Sequence, residues 1–321
     1  MRTYIIRRLL MMIPTVFLAT LIVFFSVRFI PGNVIDLMVS EMAGEGGGGG
    51  TQATAEHIRH ALGLDVPVHI QYVRWMGDIL RGDLGTSLWS GTPVIEEIAH
   101  RFPVSFELVV LAIIIALLIA LPIGVYSAVR QDTLGDYAGR SFAILCISIP
   151  SFWSGTMVMI YPAIWWNWSP SMEYIPITQN IAGNLLQFIV PAFILGMVLS
   201  GVTMRMTRTM VLEVMRQDYI RTAWAKGLTE WIVIWRHAAK NALIPIITVV
   251  GVQLAMMIGG AVVLEQIFVL PGIANLLIDA LTTRDYPVVS GINVVVASLV
   301  VIINLCVDLT YGFLDPRVQY N

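Results

Sequence analysis

Few residues of this chain are of types that do chemistry, and the densest group lies in RTAWAKGLTEWIVIWRHAAKNALIPIIT, residues 221–248. The stretch carries Arg221, Lys226, Arg236 and Lys240, and its two lysines are the only ones in the sequence. A lysine next to a glycine raises the question of phosphate binding. The phosphate cradle of nucleotide hydrolases needs G-x-x-x-x-G-K-[ST], whose glycine-rich backbone wraps N–H groups around the anion. Lys226 precedes its glycine, Lys240 precedes Asn241, and the pattern occurs nowhere in the 321 residues. Any energy from ATP must therefore come from another polypeptide.

The other polar candidates are scattered through apolar sequence. Cys146 and Cys306 each sit in an apolar run without metal-ligand spacing, which predicts two small buried hydrophobes. Glu265, Asn304 and Asp308 fall in or beside apolar runs, where a polar group is costly and is by default a functional candidate. Two roles stay open for Glu265: attraction of a cationic substrate terminus, or an interhelical hydrogen bond. Asp308 is close enough to the end of its run to be solvated. Gly259, Gly260 and Ala261 either let helices approach closely or line a narrow gate. No catalytic residue, metal-ligand set or cofactor motif emerges.

The elements that hold these residues follow from composition. With 57% hydrophobic and 12% charged residues and a mean hydropathy of +0.79, the chain lies far from the roughly 25% charge of soluble domains. It is predicted to be an all-α integral membrane protein. A net charge of −2 leaves no basic balance for nucleic acid. A span takes about 20 apolar residues, and six segments qualify: 9–30, 104–129, 137–160, 187–204, 242–268 and 291–311. Pro150 and Pro191 predict kinks in the third and fourth. The first begins MRTYIIRRLL and continues through LIVFFSV without a small-residue cleavage site, which predicts a retained anchor.

Charge sets the expected orientation. If the N-terminus is cytoplasmic, the inner segments before 9, at 130–140, at 205–241 and after 311 hold 13 of the 19 basic residues. That is the positive-inside pattern, with both termini cytoplasmic. The loop 161–186 carries Trp165, Trp166, Trp168 and Tyr174 and no basic residue, as an aromatic belt would. Residues 31–103 form a long outer segment. Its EGGGGG at 45–50 predicts a flexible insert, and the spacing of Ile58, Leu62, Ile70, Val73, Met76 and Leu80 predicts short amphipathic helices from 55 to 80. They either cover helix ends or dock an outer partner.

The loop 205–241 holds seven basic residues against Glu213, Asp218 and Glu230. Ile220, Trp224, Leu228, Trp231 and Trp235 recur at helical spacing, Gly227 interrupts them, and Thr229-Glu230 resembles a cap and first turn. Two short helices meeting at a glycine are expected. Two roles stay open: a basic helix resting on anionic membrane lipid, or a surface that enters the cleft of a soluble partner.

TAWAKG followed by RHAAKNALIPIIT resembles the cytoplasmic EAA loop of ABC importer permeases, in the form found in peptide-type transporters. Where the general motif has Glu, Ala, Ala, three residues and Gly, this sequence has Arg221, Thr222, Ala223 and then Gly227. The glutamate is absent, as is typical of the peptide branch. The resemblance extends over nearly the whole chain, through YIIRRLLMMIPT, FIPGN, LGLDVPVHIQY, GDLGTSLWSGTPV, SIPSFW, EQIFVLPGIANLLIDA, RDYPVV and VDLTYGFLDPRV. The glycine run at 46–50 is not part of it.

The resemblance implies a type-1 ABC transmembrane fold in a bacterial inner membrane. Its divisions would be an N-terminal helix at 1–30, an outer segment at 31–103, a five-helix core at 104–311 and a tail at 312–321. It also implies a second homologous permease subunit, two ABC ATPase subunits carrying ATP and Mg, and an extracytoplasmic substrate-binding protein. Arg221, Thr222, Ala223, Trp224, Lys226 and Gly227 would meet an ATPase, with Ala223 allowing tight packing, Trp224 acting as an apolar knob and Gly227 permitting close approach and a sharp turn. Gly259, Gly260, Glu265 and Asn304 are candidates for the translocation path. Peptides are the expected substrate; glutathione, nickel chelates and sugars belong to the same branch. A secondary transporter or channel is the alternative class, and it would place charges at mid-membrane positions. A scaffold or membrane anchor would not need so specific a loop.

Overall fold

The computed structural model describes residues 2–28, 65–171 and 173–314. Apart from one isolated bridge between Thr86 and Pro93, the regular structure among them is helical. A bilayer imposes this, because each spanning segment must satisfy its own backbone groups. The helices are α1 (Arg2–Arg28), α2 (Val68–Leu80), α3 (Val94–Val129), α4 (Leu134–Ser148), α5 (Ser151–Trp166), α6 (Ile181–Met215) and α7 (Asp218–Ala225). After Gly227 the chain runs through α8 (Glu230–Ile232), a π-helical stretch (Val233–Ala239) and α9 (Lys240–Gly260) without a break. Next come α10 (Val262–Ile267), α11 (Ile273–Thr282) and α12 (Tyr286–Leu314).

Among the described residues five helices are long and apolar enough to cross a membrane, and α4 with α5 makes a sixth if the pair is one bent span. The expected spans are present, but their helices outrun the apolar sequence. α3 begins at Val94 rather than 104, α6 at Ile181 rather than 187, and the fifth span at Glu230 rather than 242. Hydropathy marks only the stretch that matches hydrocarbon, whereas helix propagation continues into polar sequence at little cost. The two prolines behave differently. At Pro150 the helix breaks and α4 and α5 diverge by 86°. Pro191 lies buried inside unbroken α6.

One compact unit comprises Met1–Leu9, Phe102–Asn275 and Leu299–Asn321. Its centre is α6, the most buried of the five long spans, which packs along α4 and α9. Small residues allow this approach: a Cβ added at Gly201 would stand 2.7 Å from the Ala143 carbonyl oxygen of α4. Phe188, Leu108, Leu195 and Leu264 form the main apolar cluster. Two polar ties join α6 to its neighbours α9 and α4. Thr203 donates to Gln253 Oε1 at 3.1 Å, and buried Asp136 takes two 2.7 Å bonds from Arg208. Arg8 of α1 pairs with Asp308 of α12, so Asp308 is not merely solvated. Cys146 is buried as expected, but Cys306 is exposed. It faces an apolar crevice of 430 Å³ bordered by α3, α9 and α12.

The second unit comprises Leu10–Arg101 and Leu276–Ser298. Here α2, the expected amphipathic helix, packs Tyr72 edge-on and Trp75 at a tilt against Phe24 of α1, and Tyr72 meets the Thr20 hydroxyl at 3.1 Å. The GDLGTSLWSGTPV loop is pinned by buried Asp285, which accepts from Ser87 Oγ at 2.5 Å and from the Leu88 N–H at 3.1 Å. The glycine-rich stretch at 45–50, the expected helical spacing from 55 to 64, and residues 315–321 of the tail lie outside the described residues.

Candidate functional site

The candidate coupling residues are held by α7 and the turn after it. α7 has a sharply divided surface. Ile220 is fully buried and Ala223 nearly so, packed with Val233, Ala238 and Leu228. Arg221, Thr222, Trp224, Lys226 and Gly227 are all exposed. The expected tight packing at Ala223 is therefore made within this chain, against the π-helical stretch. Trp224 is 41% exposed, a large side chain presented to the outside as an apolar knob would be. Arg221 pairs with Asp218 at 3.3 Å, and Thr222 donates to the Asp218 carbonyl, so both side chains also have partners within the helix that carries them.

Gly227 has φ of +75°, the left-handed region where a side chain costs energy. Its N–H donates to the Trp224 carbonyl at 2.9 Å, closing the turn. A Cβ built there meets nothing of this chain within 4 Å. The glycine is thus required by the turn, and the space around it is open. Thr229 stands at the N-cap position of α8 but makes no capping bond, contrary to expectation. Glu230 instead pairs with Arg130 at 3.3 Å.

The path candidates separate. Gly259 and Gly260 are the last two residues of α9. Asn304 is exposed on α12. Glu265 is fully buried, and its carboxylate accepts from Ser105 Oγ at 2.5 Å and from the Asn275 N–H at 3.1 Å. Of the two roles left open for Glu265, the structure makes the interhelical hydrogen bond and leaves the carboxylate no open face toward a substrate.

The sequence pattern described as "Binding-protein-dependent transport system inner membrane component" matches residues 120–320, and that of the N-terminal part of such a membrane component matches 1–109. A putative peptide transport system permease protein of Brucella abortus (strain 2308) is 39% identical over 321 residues, covering all of both chains. The chain belongs to this permease family. The dipeptide transport system permease protein DppB of Escherichia coli (strain K12) is 38% identical over 343 residues, covering all of this chain and 99% of its own. The oligopeptide transport system permease protein AppB of Bacillus subtilis (strain 168) is 39% identical over 324 residues, again with both chains fully covered. This permease is a multi-pass inner membrane protein and the membrane component, not the enzyme, of its transport system.

Sequence reasoning missed three features of the permease. One is the Asp136–Arg208 pair, whose partners are 72 residues apart. Thr133 caps α4, and Asp136 then accepts the Asp132 N–H as well as the guanidinium, fixing the 130–136 turn to α6. A second is the π-helical stretch, which borders a 310 Å³ cavity together with Val125, Thr207, Val211 and Leu243. Such stretches are rare and concentrate at functional positions; no residue type in VIWRHAA announces one. The third is the turn around Glu265.

Proposed function

We propose that this permease is one half of the membrane path of an ATP-driven peptide importer, the other half being a second homologous permease subunit. In this reading two ABC ATPase subunits, which carry the ATP and Mg, bind from the cytoplasm, and an extracytoplasmic binding protein delivers peptide. Both termini and 205–241 are cytoplasmic, 31–103 is outside, and 104–311 is the transport core. The names of the relatives support the substrate class. The observation that carries the coupling assignment is the divided surface of α7, anchored by Ile220 and Ala223 and uncovered at Arg221, Thr222, Trp224, Lys226 and Gly227. An exposed tryptophan ringed by cationic and small residues fits the cleft of a partner protein. Movement of α7 by the ATPases would pass through the π-helical stretch into the fifth span. Of the path candidates, Asn304 is best supported, because an exposed amide on a spanning helix is costly against lipid and suits a wet path or a partner.

The test is Gly227→Arg in the complete complex reconstituted in vesicles. The permease should insert and assemble, while ATP-dependent peptide uptake is lost and ATP hydrolysis no longer responds to the loaded binding protein. Normal uptake with normal stimulation would refute the coupling assignment.

A further inference from the structure

The turn from 261 to 275 lies at the other end of the fifth span from α7, which meets the start of that span through the Gly227 turn and its packing on the π-helical stretch. Beyond α9, the Ala261 N–H bonds to the Met257 carbonyl and the Glu265 N–H to the Ala261 carbonyl, so helical bonding continues past the cap. Glu265 is therefore at the far end of the element that starts beside the α7 anchor. Its carboxylate is where that element is fastened to two others. Ser105 of α3 donates its hydroxyl proton to Glu265 Oε1 and accepts the Ile273 N–H at 2.8 Å. The Asn275 N–H at the start of α11 donates to Glu265 Oε2. An anion at this position also suits the positive end of α11.

Two further observations show that the turn is shaped around the carboxylate. Gly272 lies over it so closely that an added Cβ would stand 2.2 Å from the Glu265 carboxyl carbon. Val269 has φ of +51°, a costly conformation for a β-branched residue. It is held there because the next N–H, that of Leu270, bonds back to the Glu265 carbonyl at 2.8 Å. Glu265 thus fastens its neighbours with both its side chain and its backbone.

We infer that Glu265 is a positioning residue for transport: it fastens the outer end of the fifth span to α3 and α11, so that movement delivered at α7 shifts α11 rather than slipping past it. This rests on the proposed function. Ser105 is the second member of the latch. A residue that only stabilised the fold would, when altered, lower uptake and stimulated ATP hydrolysis together. A latch that transmits movement separates them.

The experiment compares wild type, Glu265→Gln, Glu265→Ala and Ser105→Ala in the complete complex in vesicles, each matched for subunit stoichiometry. Peptide uptake and binding-protein-stimulated ATP hydrolysis are measured together. Glu265→Ala should lower peptide taken up per ATP by about tenfold, the scale of a typical coupling between distant sites, while hydrolysis persists. Glu265→Gln keeps the shape and one acceptor oxygen and should recover most of that ratio, and Ser105→Ala should fall between. An unchanged ratio in Glu265→Ala, or uptake and hydrolysis falling in proportion, overturns the inference. Absence of uptake by the wild type overturns the peptide-importer reading instead. Should Glu265→Ala fail to assemble, the ratio in Ser105→Ala decides: a loss of ratio supports the latch and an unchanged ratio refutes it.

Discussion

The α7 turn and the Glu265 turn are both glycine-containing bends at ends of the fifth span, yet their polar groups look in opposite directions. Around Gly227 the side chains of Arg221, Trp224 and Lys226 are exposed and nothing of this chain comes within 4 Å of an added Cβ. Around Gly272 the carboxylate of Glu265 is fully buried, bonded to Ser105 and Asn275, and in contact with the glycine itself. Glycine at the first site serves the backbone angle, and at the second it serves space. The lesson is that an outward-facing motif leaves its side chains open to another molecule, whereas an inward-facing one has its polar partners within the chain.

That contrast can be broken by substitutions whose effects should fall on different readouts. The largest stability loss is expected from Asp136→Ala, which strands the Arg208 guanidinium where the 130–136 turn is fixed to α6. Breaking a buried pair costs roughly 3–5 kcal/mol, and thermal unfolding of the purified permease complex should register it. Gly272→Val comes next. It forces a side chain into the Glu265 carboxylate, and overpacking of this kind costs about 1–3 kcal/mol. The same thermal measurement should show a clear loss, and an unchanged midpoint would mean that the inner turn is not closed.

At the outward site stability should hardly move while association does. Trp224→Ala should weaken ATPase binding by about 2 kcal/mol, in the range of interface hot spots, as read by titration of detergent-solubilised permease with ATPase subunit. A midpoint shift without an affinity change would reverse the assignment. Arg221→Ala is the smallest: the exposed Arg221–Asp218 pair is worth about 0.2–1 kcal/mol. Stability measurements should therefore barely detect its loss, and any affinity change would report the partner.

The sequence made the spans legible because hydrocarbon thickness selects long apolar runs, and it made α7 legible because an amphipathic repeat and a glycine are local signals. The ends of the helices were less legible. The apolar run begins at Ala242, just after Lys240 and Asn241, but the helix extends back to Glu230 through Arg236. Pro150 and Pro191 look equivalent in sequence, and only their neighbours decide that one ends a helix and the other is absorbed. Glu265 could be flagged as costly in an apolar setting, but its partner Ser105 is 160 residues away. A hydrogen bond of that separation leaves no periodic trace. The motif EQIFVLPGIAN spells the turn without spelling what the glutamate holds.

The central claim is that the uncovered face of α7 is covered by the ATPase in the working complex. It is tested most directly by disulfide cross-linking, in membranes, between single cysteines in the permease and in the ATPase cleft, after Cys146→Ser and Cys306→Ser. The account predicts that cysteine in place of Lys226 or Trp224 cross-links to the ATPase while cysteine in place of buried Ile220 does not. Equal cross-linking at Ile220 and Lys226, or none at Lys226 and Trp224 in a complex that still transports, would contradict it.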